Sequence, residues 1–226
     1  MEPSTNKTTV VLLPCIGLTR LIHMVELAKF FLRSGLDVVV AVPTPPSSAA
    51  DCFTRTISDA DRFAAAHPDI FHRLPPPDYR KPKPDTTMQM FDTMRLSVTS
   101  LVDFLLYGRT SFAALVLDLF CFDALYAASM IGIPVYFYYN SSAGELAALL
   151  HLPHYFATKR GSLKDRGRAL LRFPGVPPIP ASDMPPIVLN RMNRTCQTRI
   201  GHYRRIPETQ GILINTTPTN RWGRGR

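Results

Sequence analysis

The sequence predicts a doubly wound α/β fold on a parallel sheet, and three observations carry that expectation. Short runs rich in Val, Ile and Leu recur along the chain and are apolar on both faces, as in strands buried from both sides. Stretches with helical periodicity separate them. Strand and helix alternate throughout instead of segregating. The 226 residues suit one large domain or two small ones, and 46% hydrophobic content supplies a core.

Each element has its own justification. Residues 10–13 (VVLL), ended by Pro14, form the first strand. A loop through Gly17 leads into a helix over 18–34. There Leu21, Val25, Ala28 and Leu32 make one stripe for a sheet face, and Gly35 is the stop. Residues 37–42 (DVVVAV) form a second strand and complete a right-handed βαβ unit. A helix over 47–66 and a strand over 70–74 follow. The proline- and lysine-rich loop 75–84 can continue neither. Residues 86–107 read as one long helix, 114–117 as a strand, 122–131 as a helix, 135–139 as a strand and 142–158 as a helix. The proline-rich segment 173–186 breaks this rhythm. A helix over 188–205 and a last strand over 211–215 come after it.

Composition excludes several function classes. No apolar run approaches the ~20 residues of a membrane-spanning helix. The first dozen residues lack the charged start, apolar stretch and cleavage site of an export signal. A cytoplasmic protein with reduced thiols is therefore expected. Cys15, Cys52, Cys121 and Cys196 lie far apart with no C-x-x-C pair, so neither a zinc site nor a disulfide scaffold is expected. The net charge of +9 is unevenly spread. Residues 1–158 hold 12 basic and 14 acidic side chains, and residues 159–226 hold 14 and 3. Scattered arginines without a recognised motif do not predict a nucleic-acid partner.

There is no phosphate loop, no G-x-G-x-x-G after the first strand and no G-x-S-x-G elbow. A single glycine in the first strand–helix loop argues against a dinucleotide cofactor. Chemistry in an open α/β sheet sits beyond the carboxyl ends of the strands. Three segments occupy that edge: 14–23, Asp118-Leu119-Phe120-Cys121, and Asn140-Ser141-Ser142. Asp118 directly ends an apolar strand. It reads equally as an orienting carboxylate for a base or cation and as a turn or cap residue for the helix near Phe122. Phe120 reads as a pocket wall or as ordinary core. His151 and His154 form an H-x-x-H pair, but without a third ligand they read as helix-end histidines.

Several blocks carry a family resemblance. LIHMVELAK (21–29), LDLFCFDAL (117–125), IGIPVYFYYNSSA (131–143), PGVPPIPASDMP (174–185) and ETQGILINT (208–216) resemble, in order and spacing, plant UDP-dependent glycosyltransferases of small secondary products. The branch acting on flavonoid-type phenols is the most similar. The resemblance implies a GT-B-type fold of two facing Rossmann-like domains. Residues 1–216 would be the N-terminal acceptor-binding domain and 217–226 an atypical basic tail. No nucleotide-sugar signature occurs, so the donor domain is expected to be absent. The family activity is transfer of a sugar, glucose in the first instance, from a UDP-sugar to a hydroxyl of a small phenolic acceptor. The donor is a substrate, and no cofactor or metal is implied.

In the family, a His after the first strand takes the acceptor proton and an Asp after a later strand orients that His. Asp118 matches the Asp. The His position falls on Arg20, whose guanidinium stays protonated and cannot be a general base. An ion pair between Arg20 and Asp118 is expected instead. His23, one helical turn further on, is the nearest substitute base and fits the pattern poorly. Asn140 stands where the family has Thr near the sugar, with Ser141 beside it and Phe120 as candidate acceptor contacts. Transfer by this chain alone is not expected. The alternative is a non-catalytic remnant or a small-phenol binding module.

Overall fold

The first strand, β1 (Thr9–Leu13), is buried along its whole length, as an unbroken apolar run requires. In the computed structural model, residues 9–46, 50–77, 86–108 and 111–215 are described, with 50–52 and 54–56 as backbone only. The tail 217–226, the start of the 47–66 helix, most of the 75–84 loop and the Cys52 side chain lie outside the described residues.

From β1 the chain passes through α1 (Leu18–Arg33) to β2 (Asp37–Pro43) and through α2 (Ala50–Ala66) to β3 (Phe71–Leu74). Helices α3 (Thr86–Leu96) and α4 (Val98–Tyr107) then lead to β4 (Phe112–Asp118). A 3-10 turn (Phe122–Ala124) and α5 (Leu125–Ile131) precede β5 (Val135–Tyr139) and α6 (Ala143–Thr158). After them come β6 (Leu170–Leu171), β7 (Ile179–Pro180), α7 (Pro186–Leu189), α8 (Arg194–Arg205) and β8 (Gly211–Ile214).

The main sheet has the order β3-β2-β1-β4-β5-β8. β1 runs parallel to both its neighbours, and β2 runs parallel to β3. This is the expected Rossmann-like, doubly wound arrangement. The described residues divide into two compact units that share β5 and β8. One runs to Phe137 and includes Glu208–Gly211; the other holds Tyr138–Pro207 and the residues from Ile212.

In the first unit, Leu12, Leu115 and Leu117 have no exposed surface. Each contributes roughly 1.5–3 kcal/mol of burial. Helix α1 buries Leu21, Met24, Val25 and Ala28. The predicted stripe fails at its end, where Leu32 is 40% exposed, and Met24, next to Val25, is buried in addition. Gly35, at φ 82°, turns the chain out of α1 in a conformation that disfavours side chains.

Three helices differ from expectation. The long helix over 86–107 is interrupted at Ser97. There the Ser97 hydroxyl donates to the Thr93 carbonyl, and the Thr93 hydroxyl to that of Gln89. Such back-bonds compete with the helical ladder and bend it. The helix over 122–131 begins as the tighter 3-10 turn. In the second unit, the helix over 188–205 splits into α7 and α8, because Asn193 leaves helical geometry and caps α8 by accepting from the Thr195 amide. The proline-rich segment supplies β7 to a short antiparallel ladder with β6, with Leu170 opposite Pro180 and Leu171 opposite Ile179. No described helix is long and apolar enough to cross a membrane.

Candidate functional site

Strand order reverses between β1 and β4, which makes the carboxyl edge there the switch point of the sheet. The register pairs Leu13 with Leu117. The residues that follow each strand, 14–20 and 118–121, therefore emerge side by side. Sequence separation is large, but the topology makes them neighbours.

Asp118 is buried, with 3% of its side chain exposed, and its Oδ2 lies 3.4 Å from an Arg20 guanidinium nitrogen. Its Oδ1 accepts the Phe120 amide at 2.9 Å, and its main-chain carbonyl accepts the Cys121 amide at 2.8 Å. Asp118 thus closes a turn and pairs with the Arg20 guanidinium. Cys121, not Asp118, occupies the position before the 3-10 turn. A buried carboxylate needs such partners, because an unpaired one would carry a desolvation cost of several kcal/mol.

Arg20 lies in the first turn of α1, which contains no acidic residue. The positive end of a helix favours negative charge nearby, and here Asp118 supplies it from β4. The Arg20 guanidinium also sits 4.2 Å above the Phe120 ring, a contact worth roughly 0.5–2 kcal/mol. Phe120 in turn stacks on Phe91 of α3, with ring centroids 6.2 Å apart and planes at 23°. Phe120 is only half-buried, so it lines the edge and is not sealed into the core. Phe91 escaped the sequence reading, since nothing in the α3 pattern distinguishes it from a core residue.

Two thiols complete the edge. The sulfurs of Cys15 and Cys121 and a carboxylate oxygen of Asp118 all lie within 4.8 Å of one another, and all three residues are buried. The Cys121 thiol donates to the Leu13 carbonyl at 3.6 Å. Burial pushes this thiol well up; the hydrogen bond and charge of Cys15 and the charge of Asp118 add to the shift, and Arg20 opposes it. The spacing of the cysteines argued against any such cluster. The signal that could have found it is topological, because the loops after the first and fourth strands meet at one switch point.

The other candidates fall elsewhere. His23 is half-buried on α1, one turn past Arg20. Asn140 and Ser141 belong to the second unit, ahead of α6. The Ser141 hydroxyl donates to the Glu145 carboxylate, and the Ser142 hydroxyl accepts the Glu145 amide at 3.1 Å. Burial, and then the Glu145 charge, push the Tyr139 phenol upward in the same cluster. His151 and His154 hold their rings 5.1 Å apart. Among the described residues the one group of three potential metal ligands is Cys15, Asp118 and Cys121.

No family model matches the chain. It is 30% identical over 218 residues to an anthocyanidin 5,3-O-glucosyltransferase of a Rosa hybrid cultivar, covering 92% of this chain and 46% of that protein. It is 30% identical over 230 residues to isoflavone 7-O-glucosyltransferase 1 of Glycine max, covering 93% and 48%. Among solved structures, it is similar to UGT2 of Phytolacca americana complexed with UDP-2fluoro-glucose and pterostilbene. The TM-score is 0.76 at 25% identity, over 93% of this chain and 47% of that one. A Polygonum tinctorium UDP-glucosyltransferase shares the fold, with TM-score 0.79 at 23% identity over 95% and 47%. The chain spans about half the length of the relatives it matches.

Proposed function

Because this chain is a relative of the plant UDP-glycosyltransferases along nearly its whole length, we propose that it is the acceptor-binding half of such a transferase. The whole enzyme would move a sugar, glucose in the first instance, from a UDP-sugar to a hydroxyl of a small phenolic acceptor of flavonoid type. The compartment proposed is the cytoplasm. The observation that carries the reading is the β1/β4 edge, where the half-buried Phe120 ring lies under Arg20, which pairs with buried Asp118 at a switch point. An aromatic wall beside a few polar groups suits a flat phenol.

Arg20 limits what this chain does. A guanidinium cannot accept the acceptor proton, and Arg20 already holds the carboxylate that would orient a base. We therefore propose that this half binds the phenol without taking the proton from its hydroxyl.

Saturation-transfer NMR of the 226-residue chain with a panel of flavonoids and simple phenols tests the binding. UDP release in the presence of UDP-glucose tests the turnover. Saturable binding without UDP release is expected. Sustained UDP release would overturn the argument from Arg20. If no compound bound a chain shown to be folded by circular dichroism, the acceptor-binding reading would fall.

A further inference from the structure

We propose that Cys15, Cys121 and Asp118 form a binding site for one thiophilic divalent cation of the zinc class. The donors come from two chain segments that the β1/β4 register brings together, with Cys15 after β1, Asp118 at the end of β4 and Cys121 just beyond it. Their ligand atoms already lie within 4.8 Å of one another. Zinc binds sulfur at about 2.3 Å and carboxylate oxygen at about 2.0–2.2 Å, so a small inward movement completes a shell.

Donor chemistry selects the ion. Two sulfurs and one oxygen disfavour magnesium and calcium, which take oxygen ligands, and favour zinc or its softer congeners. Three protein ligands leave the fourth position of a tetrahedral ion for water or a ligand. An outer partner is present as well: the Phe120 amide holds Oδ1 of Asp118 at 2.9 Å. Such a partner fixes ligand orientation.

The charges balance. Two thiolates and one carboxylate carry three negative charges, and a divalent ion with the Arg20 guanidinium carries three positive ones. Binding breaks two S–H bonds and forms two S–metal bonds. The two protons leave to solvent, and no electrons move. Arg20 and the metal share one carboxylate, so each weakens the other's hold on it. The site shares Asp118 with the edge proposed for the phenol, but cobalt binding and phenol binding are measured separately, and either can fail alone.

Titration of the full chain with cobalt(II) under reducing conditions tests the proposal. One cobalt per chain is expected, with an absorption band from sulfur-to-cobalt charge transfer that zinc then displaces. Cys15→Ser and Cys121→Ser should each weaken binding at least about tenfold, the loss that even an outer-shell partner causes. Cys196→Ser should change nothing, and Arg20→Ala should tighten binding. Should the serine variants fail to fold, zinc-edge X-ray absorption of the unaltered chain counts the sulfurs directly, and two are expected. A folded chain without the band, a band that survives loss of either cysteine, or fewer than two sulfur scatterers would overturn the site.

Discussion

Of the described arginines that rest on aromatic rings, two do opposite things. Arg20 lies 4.2 Å above Phe120 and Arg199 lies 4.7 Å above Tyr203. Arg199 is 1% exposed and donates to the Tyr203 hydroxyl at 3.1 Å, four residues along its own helix. Arg20 keeps 28% of its side chain in water and pairs with a carboxylate 98 residues away on another strand. A local, sealed arginine serves the helix that carries it. A half-exposed arginine tied across a switch point sits where a ligand can reach it. Burying a charge is therefore not in itself the mark of a site; what matters is which elements the charge joins and whether solvent reaches it.

Truncating both arginines is the harshest test of that contrast. Arg199→Ala should cost about 3–5 kcal/mol, since it leaves a cavity and strands the Tyr203 hydroxyl in α8. Arg199→Met, which refills the volume, should recover part of this. Arg20→Ala should cost only about 1–3 kcal/mol, because its pair is open to water on one side, and its main effect should fall on ligand and metal binding. Guanidinium denaturation of the three variants gives the ranking. If Arg20→Ala proves the more destabilising, the division between a structural arginine and a site arginine fails.

A second test uses pH. Burial, with the Arg199 and Arg205 guanidiniums beside it, pushes His202 from 6.5 down to about 3. The unfolded chain therefore binds a proton that the folded chain refuses between those values. Stability from this group is complete above pH 6.5 and falls as pH drops toward 3, by up to about 1.4 kcal/mol per pH unit. Denaturation midpoints at pH 7, 6 and 5 should decline accordingly, and His202→Gln should flatten that decline. An equal decline in the variant would show that carboxylates elsewhere control acid stability.

The strands were the most legible part of the sequence. Residues 10–13, 37–42 and 135–139 are apolar on both faces and sit in the sheet where expected, because double burial leaves a continuous pattern. Interruptions inside helices were not legible. Ser97 and Asn193 break helices through side-chain hydrogen bonds to the backbone, and no periodicity records those bonds. The pairing of Arg20 with Asp118 was readable from the two motifs. The Cys15–Cys121 contact was not: 106 residues separate the two, and only the order of β1 and β4 in the sheet makes them neighbours.

The mildest test compares the two helix starts. α6 begins under Ser142, whose hydroxyl accepts the Glu145 amide at 3.1 Å. α1 begins after Gly17, at φ 140°, with no side-chain cap. Ser142→Ala should cost about 1 kcal/mol and speed hydrogen exchange at Glu145 and its neighbours, while the first turn of α1 exchanges as before. Gly17→Ala removes no cap, and its added Cβ would meet Arg20 Cγ at an ordinary 3.8 Å. Its cost, about 1–3 kcal/mol, would instead come from a backbone conformation that side chains rarely adopt. Exchange at Glu145 unaltered by Ser142→Ala would mean that packing, and not the hydroxyl, starts α6. The contrast would then reduce to α1 alone, whose first turn has the Asp118 carboxylate beside Arg20 where α6 has a serine hydroxyl.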